Sequence, residues 1–125
     1  SPVHYAAASG QITCALDRLF YSAGRSLRFK PAAAVTSARR AGTTATFDQL
    51  NKYFTINQMP VVSSRYWNMV HGSKPEDVLQ DEEGLAVMRQ LGHNMAWLLK
   101  SIEAGRAAGL EEPAQEPPVK TNFIR

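Results

Sequence analysis

Residues 31–64, PAAAVTSARRAGTTATFDQLNKYFTINQMPVVSS, decide the fold of this chain. The opening run, Pro31 to Thr36, is short, apolar and built mostly of small residues, which is typical of a strand covered on both faces. A polar, glycine-containing loop follows at Ser37–Thr44, and a stripe of aromatic and leucine side chains predicts a helix over Ala45–Phe54. The apolar start of Met59–Ser64 predicts a second strand.

Strand, loop, helix and strand in this order form a βαβ unit. Such units pair their strands in parallel and cross over with a right hand. We therefore expect a three-layer α/β arrangement in which residues 32–36 and 60–63 are parallel and buried between helices.

Two further helices flank this unit. A stripe at three- and four-residue spacing predicts a helix over Gln11–Tyr21. Its members are Ile12, Ala15, Leu16, Leu19 and Phe20. A longer stripe from Leu85 to Ile102 predicts a last helix of about five turns. The tail from Glu111 carries three prolines, and we expect it to be extended.

The predicted sheet is incomplete. An open α/β sheet typically has four or more strands, and two strands cannot bury three amphipathic helices. The first segment, Ser1–Gly10, has the composition of a loop that follows a strand. We therefore expect that this chain is the C-terminal portion of one domain, with residues 1–110 in the domain and 111–125 as a tail, and that the N-terminal strand-helix units lie outside it.

Composition excludes several classes of protein. The 125 residues are 44% hydrophobic and 20% charged, as in a soluble globular domain. No apolar run is long enough for a transmembrane helix, and no secretory leader is visible. One cysteine, Cys14, allows neither an internal disulfide nor a cysteine-only metal cluster, which suits the cytoplasm. The net charge of +3 comes without a nucleic-acid-binding module, so we expect no nucleic acid and no membrane as partner.

Ligands of open α/β sheets bind beyond the carboxyl ends of the strands, and three loops have that position. They are Ser1–Gly10, Ser37–Thr44 and Arg65–Gly72. Each alone has an ordinary interpretation: an alanine-rich connection, a helix cap, and aromatic cover for a core. Together they favour a planar, polar-edged ligand.

The order of these loops resembles the NADPH-dependent FMN reductases of the flavodoxin-like superfamily. The resemblance begins with SPVHY at residues 1–5, SGQ at 9–11 and LDRLF at 16–20. It continues through KPAAAV at 30–35, SARRAGTT at 37–44 and YWNMVHG at 66–72, and covers the chain up to about Leu110.

The resemblance implies an FMN cofactor and NAD(P)H as co-substrate, with electrons passing to a quinone, a flavin or a similar acceptor. It implies three groups of cofactor-binding residues. Those along the isoalloxazine ring are Ser1, Pro2, Val3, His4, Tyr5 and Ala6; those at the pyrimidine edge are Ser37, Ala38, Arg39 and Gly42; those on the face where nicotinamide or the acceptor stacks are Tyr66, Trp67 and His71. No side chain is assigned as a general acid or base, and no metal ligand is predicted.

The resemblance also has departures and leaves alternatives. Ala6 and Ala7 stand where related quinone reductases often carry glycine and asparagine, and the family's phosphate-binding loop would precede Ser1. Cysteine motifs of an iron-sulfur branch would also lie upstream. An electron carrier that does not use NAD(P)H, or a fragment with an incomplete flavin site, are the alternative functions. We also expect a homodimer or homotetramer, because reductases of this type commonly build part of the pocket between subunits.

Overall fold

The computed structural model describes residues 1–123. It has the following elements in chain order: β1 (Val3–His4), β2 (Ala7–Ala8), α1 (Gly10–Ala23), a 3-10 turn (Gly24–Leu27), β3 (Thr36–Ala38), α2 (Thr43–Ile56), β4 (Met69–His71), α3 (Pro75–Val78) and α4 (Glu82–Ala107). Among these residues, no helix combines the length and the apolar composition that crossing a membrane requires.

The centre of the molecule is a small parallel sheet. β3 and β4 pair in parallel from Thr36 opposite Met69 to Ala38 opposite His71. On the other side of β3, Pro2 forms a parallel bridge with Ser37, and the Ser37 amide donates to the Ser1 carbonyl at 3.1 Å. The chain is therefore an α/β structure, as predicted and as expected of a flavodoxin-like fold.

The predicted second strand is wrong in its position. Within the range 59–64 only Val61 is bridged, in parallel to Ala32, which confirms the predicted orientation. Between the Ala32–Val61 bridge and the Thr36–Met69 pair, one segment advances four residues and the other, from Val61 to Met69, advances eight. The residues between Val61 and Met69 therefore bulge out of the sheet. Two bonds to α4 hold the bulge: the Ser64 hydroxyl donates to the Val87 carbonyl at 2.7 Å, and the Asn94 amide donates to the Ser63 carbonyl at 2.8 Å.

The predicted burial of the sheet is right on one face and wrong on the other. Ala34 and Thr36 are buried beneath α1 and α2, in a core of small and aromatic side chains. The other members of that core are Ala8, Leu50, Ile12, Leu16, Phe47 and Phe54. Val35, between these two residues, is 39% exposed, and α4 packs mainly on β4. Leu19, expected in the buried stripe of α1, is exposed as well.

The last helix, α4, ends in a motif that is built by two glycines. Gly109 adopts a left-handed conformation with φ of 86°, and the Leu110 amide donates back to the Gly105 carbonyl at 2.9 Å. This arrangement closes the helix in the manner of a Schellman motif. Residues 111–123 form no helix or strand and are exposed, whereas residues 124 and 125 of the predicted tail lie outside the described residues.

Candidate functional site

The first predicted loop is a β-hairpin rather than an irregular connection. Val3 pairs with Ala8 and His4 with Ala7, which leaves Tyr5 and Ala6 as a two-residue turn. Such turns require a positive φ at the first turn position, where glycine is usual. Tyr5 has φ of 57°, a conformation that costs a non-glycine residue roughly 1–2 kcal/mol, and its side chain is fully exposed.

Gly42 brings the second loop against this hairpin. It has φ of 90° and immediately precedes α2. A Cβ at this position would lie 2.7 Å from Val3 Cγ1 and 3.1 Å from the Tyr5 carbonyl oxygen, so only glycine permits this approach. The Gln49 side chain of α2 also accepts from the Ala8 amide at 2.9 Å, which fixes the hairpin to the helix.

The start of α2 presents unsatisfied donors beside the hairpin. Gly42 has no side chain to cap the helix, so within residues 1–123 the first amides, at Thr43 to Ala45, have no side-chain cap. Thr46 lies one residue further and is completely buried, and its hydroxyl oxygen has no hydrogen-bond partner within residues 1–123. The positive end of the helix dipole adds to these donors, which suits an electron-rich ligand edge.

The third predicted loop divides between the bulge and β4. Tyr66 and Trp67 lie at the end of the bulge with ring centroids 5.0 Å apart, and both are about half exposed. His71 ends β4 opposite Ala38, where the Gly72 amide donates to the Ala38 carbonyl at 3.1 Å. A cavity of about 140 Å³ lies among these side chains and the start of α4. Its lining is Tyr66, Trp67, Met69, His71, Asp81, Glu83, Gly84 and Val87.

Asp81 builds the wall of this cavity. One carboxylate oxygen accepts from the His71 amide at 2.7 Å, and the other accepts from the Gly84 amide at 2.9 Å, which caps α4. The first oxygen also lies 3.8 Å from His71 Nδ1. Gly84 is buried against this carboxylate, and a Cβ there would overlap the Asp81 side chain.

The structure brings most of the predicted residues into two adjoining groups. Backbone pairing or close approach joins the first group: Ser1, Pro2, Val3, Tyr5, Ala6, Ser37 and Gly42. The cavity holds Tyr66, Trp67 and His71. Ala38 links the groups through its pairing with His71, and the Thr43 hydroxyl, which donates to Met69 Sδ at 3.3 Å, is a second link.

Two predicted side chains stand apart, and several cavity residues were missed. His4 and Arg39 are exposed, and within residues 1–123 their side chains make no hydrogen bond or ion pair. Sequence reasoning missed Met69, Asp81 and Glu83. A helix-start signal was available for the last two, because Asp81-Glu-Glu-Gly before an apolar stripe matches an N-cap followed by an acidic first turn.

Comparison with known proteins places this arrangement in a family. The sequence model of the NADPH-dependent FMN reductase family matches residues 1–74, a range that contains all three loops. An iron-sulfur flavoprotein of Methanocaldococcus jannaschii is 32% identical over 111 residues, which cover 82% of this chain and 58% of that relative. The chain thus spans somewhat more than half the length of this curated relative. The chain belongs to the NADPH-dependent FMN reductase family, a family of flavin-dependent oxidoreductases.

Proposed function

We propose that this chain supplies the ring side of an FMN site in which FMN accepts hydride from NAD(P)H and passes electrons to a quinone, a flavin or a similar acceptor. One observation carries the proposal: the three loops meet at the carboxyl ends of parallel strands, where Gly42 packs on Val3 and Ala38 pairs with His71. This is the position at which open α/β sheets bind ligands.

The donor set at the start of α2 fits the pyrimidine edge of a flavin. That edge carries carbonyl and ring-nitrogen acceptors, and the uncapped amides of Thr43 to Ala45 are donors. In the proposed site Ser37, Ala38, Arg39 and Gly42 border this edge. Bound FMN supplies the two-electron acceptor, and the positive helix end stabilises the negative charge that reduction places there.

The hairpin and the aromatic pair have complementary roles in this proposal. Ser1 to Ala6 lie along the isoalloxazine ring, with Val3 and Tyr5 providing contact area. The strained turn at Tyr5 supports this, since a conformation of that cost persists where the surroundings impose it and is common at ligand sites. Tyr66, Trp67 and His71 wall the face where nicotinamide or the acceptor stacks, and exclude water from it.

We propose that residues 1–110 are the C-terminal part of one flavodoxin-like FMN-binding domain and that residues 111–125 are its tail. Further strand-helix units and the phosphate-binding loop would then lie on polypeptide outside this chain. Two exposed apolar side chains support this, Val35 directly before β3 and Leu19 on α1, because both lie where a complete three-layer fold would cover them.

Anaerobic stopped-flow mixing of the flavin-loaded protein with NADPH tests the function. A reductase transfers hydride from NADPH to its flavin after mixing, and the flavin absorbance is bleached. The relative named as an iron-sulfur flavoprotein favours a second candidate, an FMN electron carrier that receives electrons without direct use of NAD(P)H. A carrier would keep its flavin oxidised with NADPH and would be reduced by dithionite. Failure to retain any flavin, measured by native mass spectrometry, would instead identify a fragment with an incomplete site.

Arg39 and Arg40 offer a matched pair for the placement of the pyrimidine edge. Both are exposed loop arginines, and in the proposed site Arg39 is nearer the flavin. Replacing Arg39 with alanine should lower the two-electron potential by some tens of millivolts, since a hydrogen bond to a charged group contributes roughly 1.5–3 kcal/mol and about 30 mV corresponds to 1.4 kcal/mol. The Arg40→Ala protein is the control. Equal potentials for the two variants and the wild type would remove Arg39 from the site.

We also propose that the protein forms a homodimer or homotetramer. The support is the apolar surface that this chain leaves exposed, which includes Trp97 and Leu99 on α4. Sedimentation of the flavin-loaded protein over a range of concentrations tests this. A monomer at every concentration would contradict it.

A further inference from the structure

The side chain of Gln49 joins two parts of the proposed flavin site that lie far apart in sequence. Gln49 belongs to the second turn of α2, and its Oε1 accepts from the amide of Ala8 at 2.9 Å, across a separation of 41 residues. Ala8 is the last residue of β2, the second strand of the hairpin. The bond therefore connects the hairpin to α2 through one side chain.

The amide of Ala8 depends on this acceptor. Ala8 is buried in the core beside Leu50 and pairs with Val3 across the hairpin, and its amide donates to Gln49. Without the Gln49 side chain, this amide would be a buried donor that lacks its acceptor. A buried polar group without a partner costs more free energy than an intact hydrogen bond gains. Removal of the acceptor should therefore displace β2 until water reaches the amide.

The hairpin is held to the rest of the molecule at separate points. Its first strand is held at the base, where the Ser37 amide donates to the Ser1 carbonyl at 3.1 Å. Its second strand is held by Gln49. The turn at Tyr5 lies between these points, and its carbonyl oxygen would be 3.1 Å from a Cβ on Gly42. Because Gly42 already touches the hairpin, movement of the second strand changes the separation between the turn and the start of α2.

We propose that Gln49 is a positioning residue for the flavin ring, because it fixes the separation between the hairpin turn and the start of α2. The inference rests on the proposed function, in which the hairpin lies along the ring and the start of α2 borders its pyrimidine edge. Gln49 itself does not touch the flavin and acts through Ala8. A displaced hairpin would leave the ring unable to contact the hairpin and the α2 amides together, since hydrogen bonds weaken steeply outside a narrow range of distance.

The same helix offers a matched control in Tyr53. This residue lies four positions after Gln49, and therefore on the same side of α2. Its hydroxyl donates to the Asp17 carboxylate of α1 at 2.5 Å. Tyr53 thus also ties α2 to another element through one side-chain hydrogen bond, but that element is not the hairpin. Tyr53→Phe removes such a bond and leaves the link between Gln49 and Ala8 in place.

Riboflavin binding to the full chain tests the inference. Riboflavin carries the flavin ring without the phosphate, so its binding does not depend on a phosphate-binding loop. Gln49→Leu and Gln49→Met both remove the acceptor with little change in side-chain size, and Gln49→Glu retains an acceptor oxygen. Quenching of riboflavin fluorescence gives the affinity. Hydrogen exchange of the Ala8 amide, followed by NMR without flavin, reports the attachment of the hairpin, and circular dichroism verifies the fold of each variant.

We expect Gln49→Leu and Gln49→Met to exchange the Ala8 amide faster than the wild type does. They should bind riboflavin between about threefold and about tenfold more weakly, the range that corresponds to one lost hydrogen bond. Gln49→Glu should restore the protection of Ala8 and the affinity, because its carboxylate can accept the same amide. Tyr53→Phe should lower the urea midpoint while riboflavin affinity stays at the wild-type value.

The outcomes separate this inference from the proposed function. A wild-type chain that does not bind riboflavin refutes the ring site, and the role of Gln49 with it. Unchanged affinity in the removal variants, while Ala8 exchanges faster, would show that the bond is only structural and would overturn the role of Gln49 alone. A loss of affinity in Tyr53→Phe as large as that in Gln49→Leu, or no recovery in Gln49→Glu, would overturn it as well. Because two removal variants are used, failure of one to fold leaves the other to decide.

Discussion

The two halves of α4 belong to one continuous helix but have different surroundings. The buried residues of this helix, Gly84, Val87 and Leu91, all lie in its first ten residues. Beyond Leu91 the helix continues to Ala107, and there Trp97 is 71% exposed and Leu99 is 49% exposed. The first half packs on β4 and on the bulge before it, whereas the second half touches the bulge through Asn94 and beyond it has only half-buried or exposed side chains.

This difference indicates which part of α4 fixes the geometry of the cavity beside His71. Asp81 caps the first half, and packing of Val87 and Leu91 holds its carboxylate beside His71. Side chains positioned by buried elements keep their geometry better than those on loops. The second half has no fully buried residue after Leu91, and a helix with little tertiary packing is marginal in water. We therefore expect substitutions in the two halves to have unequal effects.

The largest effect should come from leucine truncation. Leu91→Ala removes a side chain that is 8% exposed, and it should lower the free energy of unfolding by about 3 kcal/mol, through lost burial and the cavity left behind. Leu99→Ala makes the same chemical change in the same helix at an exposed position. It should cost less than about 1 kcal/mol.

Urea denaturation followed by circular dichroism measures both changes. Equal losses for the two variants would show that the second half is covered in solution, for instance by a second subunit. A dependence of the Leu99→Ala loss on protein concentration would identify that subunit as another copy of this chain.

Glycine substitutions should give a smaller effect of opposite sign in the two halves. Gly84→Ala places a methyl group against the Asp81 carboxylate, which must move and give up its bonds to His71 and Gly84. The expected loss is about 1–2 kcal/mol. Gly92→Ala meets open space, and replacing a helical glycine with alanine stabilises by about 0.5–1 kcal/mol.

The measurement is the urea midpoint of each variant, with the indole signal of Trp67 as a local probe. Gly84→Ala should shift that signal, since the cavity wall moves, and Gly92→Ala should not. A stabilised Gly84→Ala protein would mean that the Asp81 side chain can turn away without cost, and that the wall is looser than its hydrogen bonds suggest.

The smallest expected effect comes from a contact between α1 and α2, remote from α4. Because this contact involves neither half of α4, its pH dependence is a common reference for variants in both halves. The Tyr53 hydroxyl of α2 donates to the Asp17 carboxylate of α1 at 2.5 Å, and this hydrogen bond raises the pKa of Tyr53 to about 12 from its ordinary 10.0. Because the folded state favours the protonated phenol, the contribution is complete below pH 10 and is lost as pH rises from 10 to 12. Stability should therefore fall slightly over that interval.

Tyr53→Phe is the control, since it lacks the titrating group. Absorbance titration should show that the variant has lost a tyrosinate component near pH 12. The pH-dependent loss should be the same in the Leu91→Ala and Leu99→Ala backgrounds, because distant sites contribute additively. Unequal losses would reveal coupling between the α1–α2 pair and one half of α4.

Several features could be predicted from sequence because they depend on local pattern. The helices at residues 10–23, 43–56 and 82–107 lie where apolar stripes recur at helical spacing. The parallel orientation of the segments around Ala32 and Val61 follows from their order around a helix. The grouping of three loops follows from the rule that carboxyl ends of parallel strands share an edge.

Other features could not be predicted because they depend on partners distant in sequence. Nothing in Met59–Ser64 indicates that the strand stops at Val61, since the reason is the bonding of Ser63 and Ser64 to α4. The exposure of Leu19 and Val35 depends on which helices extend over them. Asp81 was missed because its importance lies in one backbone amide of β4, ten residues away in the chain.

The sequence by itself determined the class of this protein: an α/β chain whose three small-residue and aromatic loops mark it as a member of a flavin reductase family. Periodicity and loop composition depend on residues that are close in sequence, so they can be recognised without a structure. Only the tertiary structure decided that Tyr66 and Trp67 line one small cavity together with Asp81 and Glu83. That arrangement arises when a bulge in an edge strand meets the first turn of a later helix, and the packing and long-range hydrogen bonds that bring them together are not encoded in either segment alone.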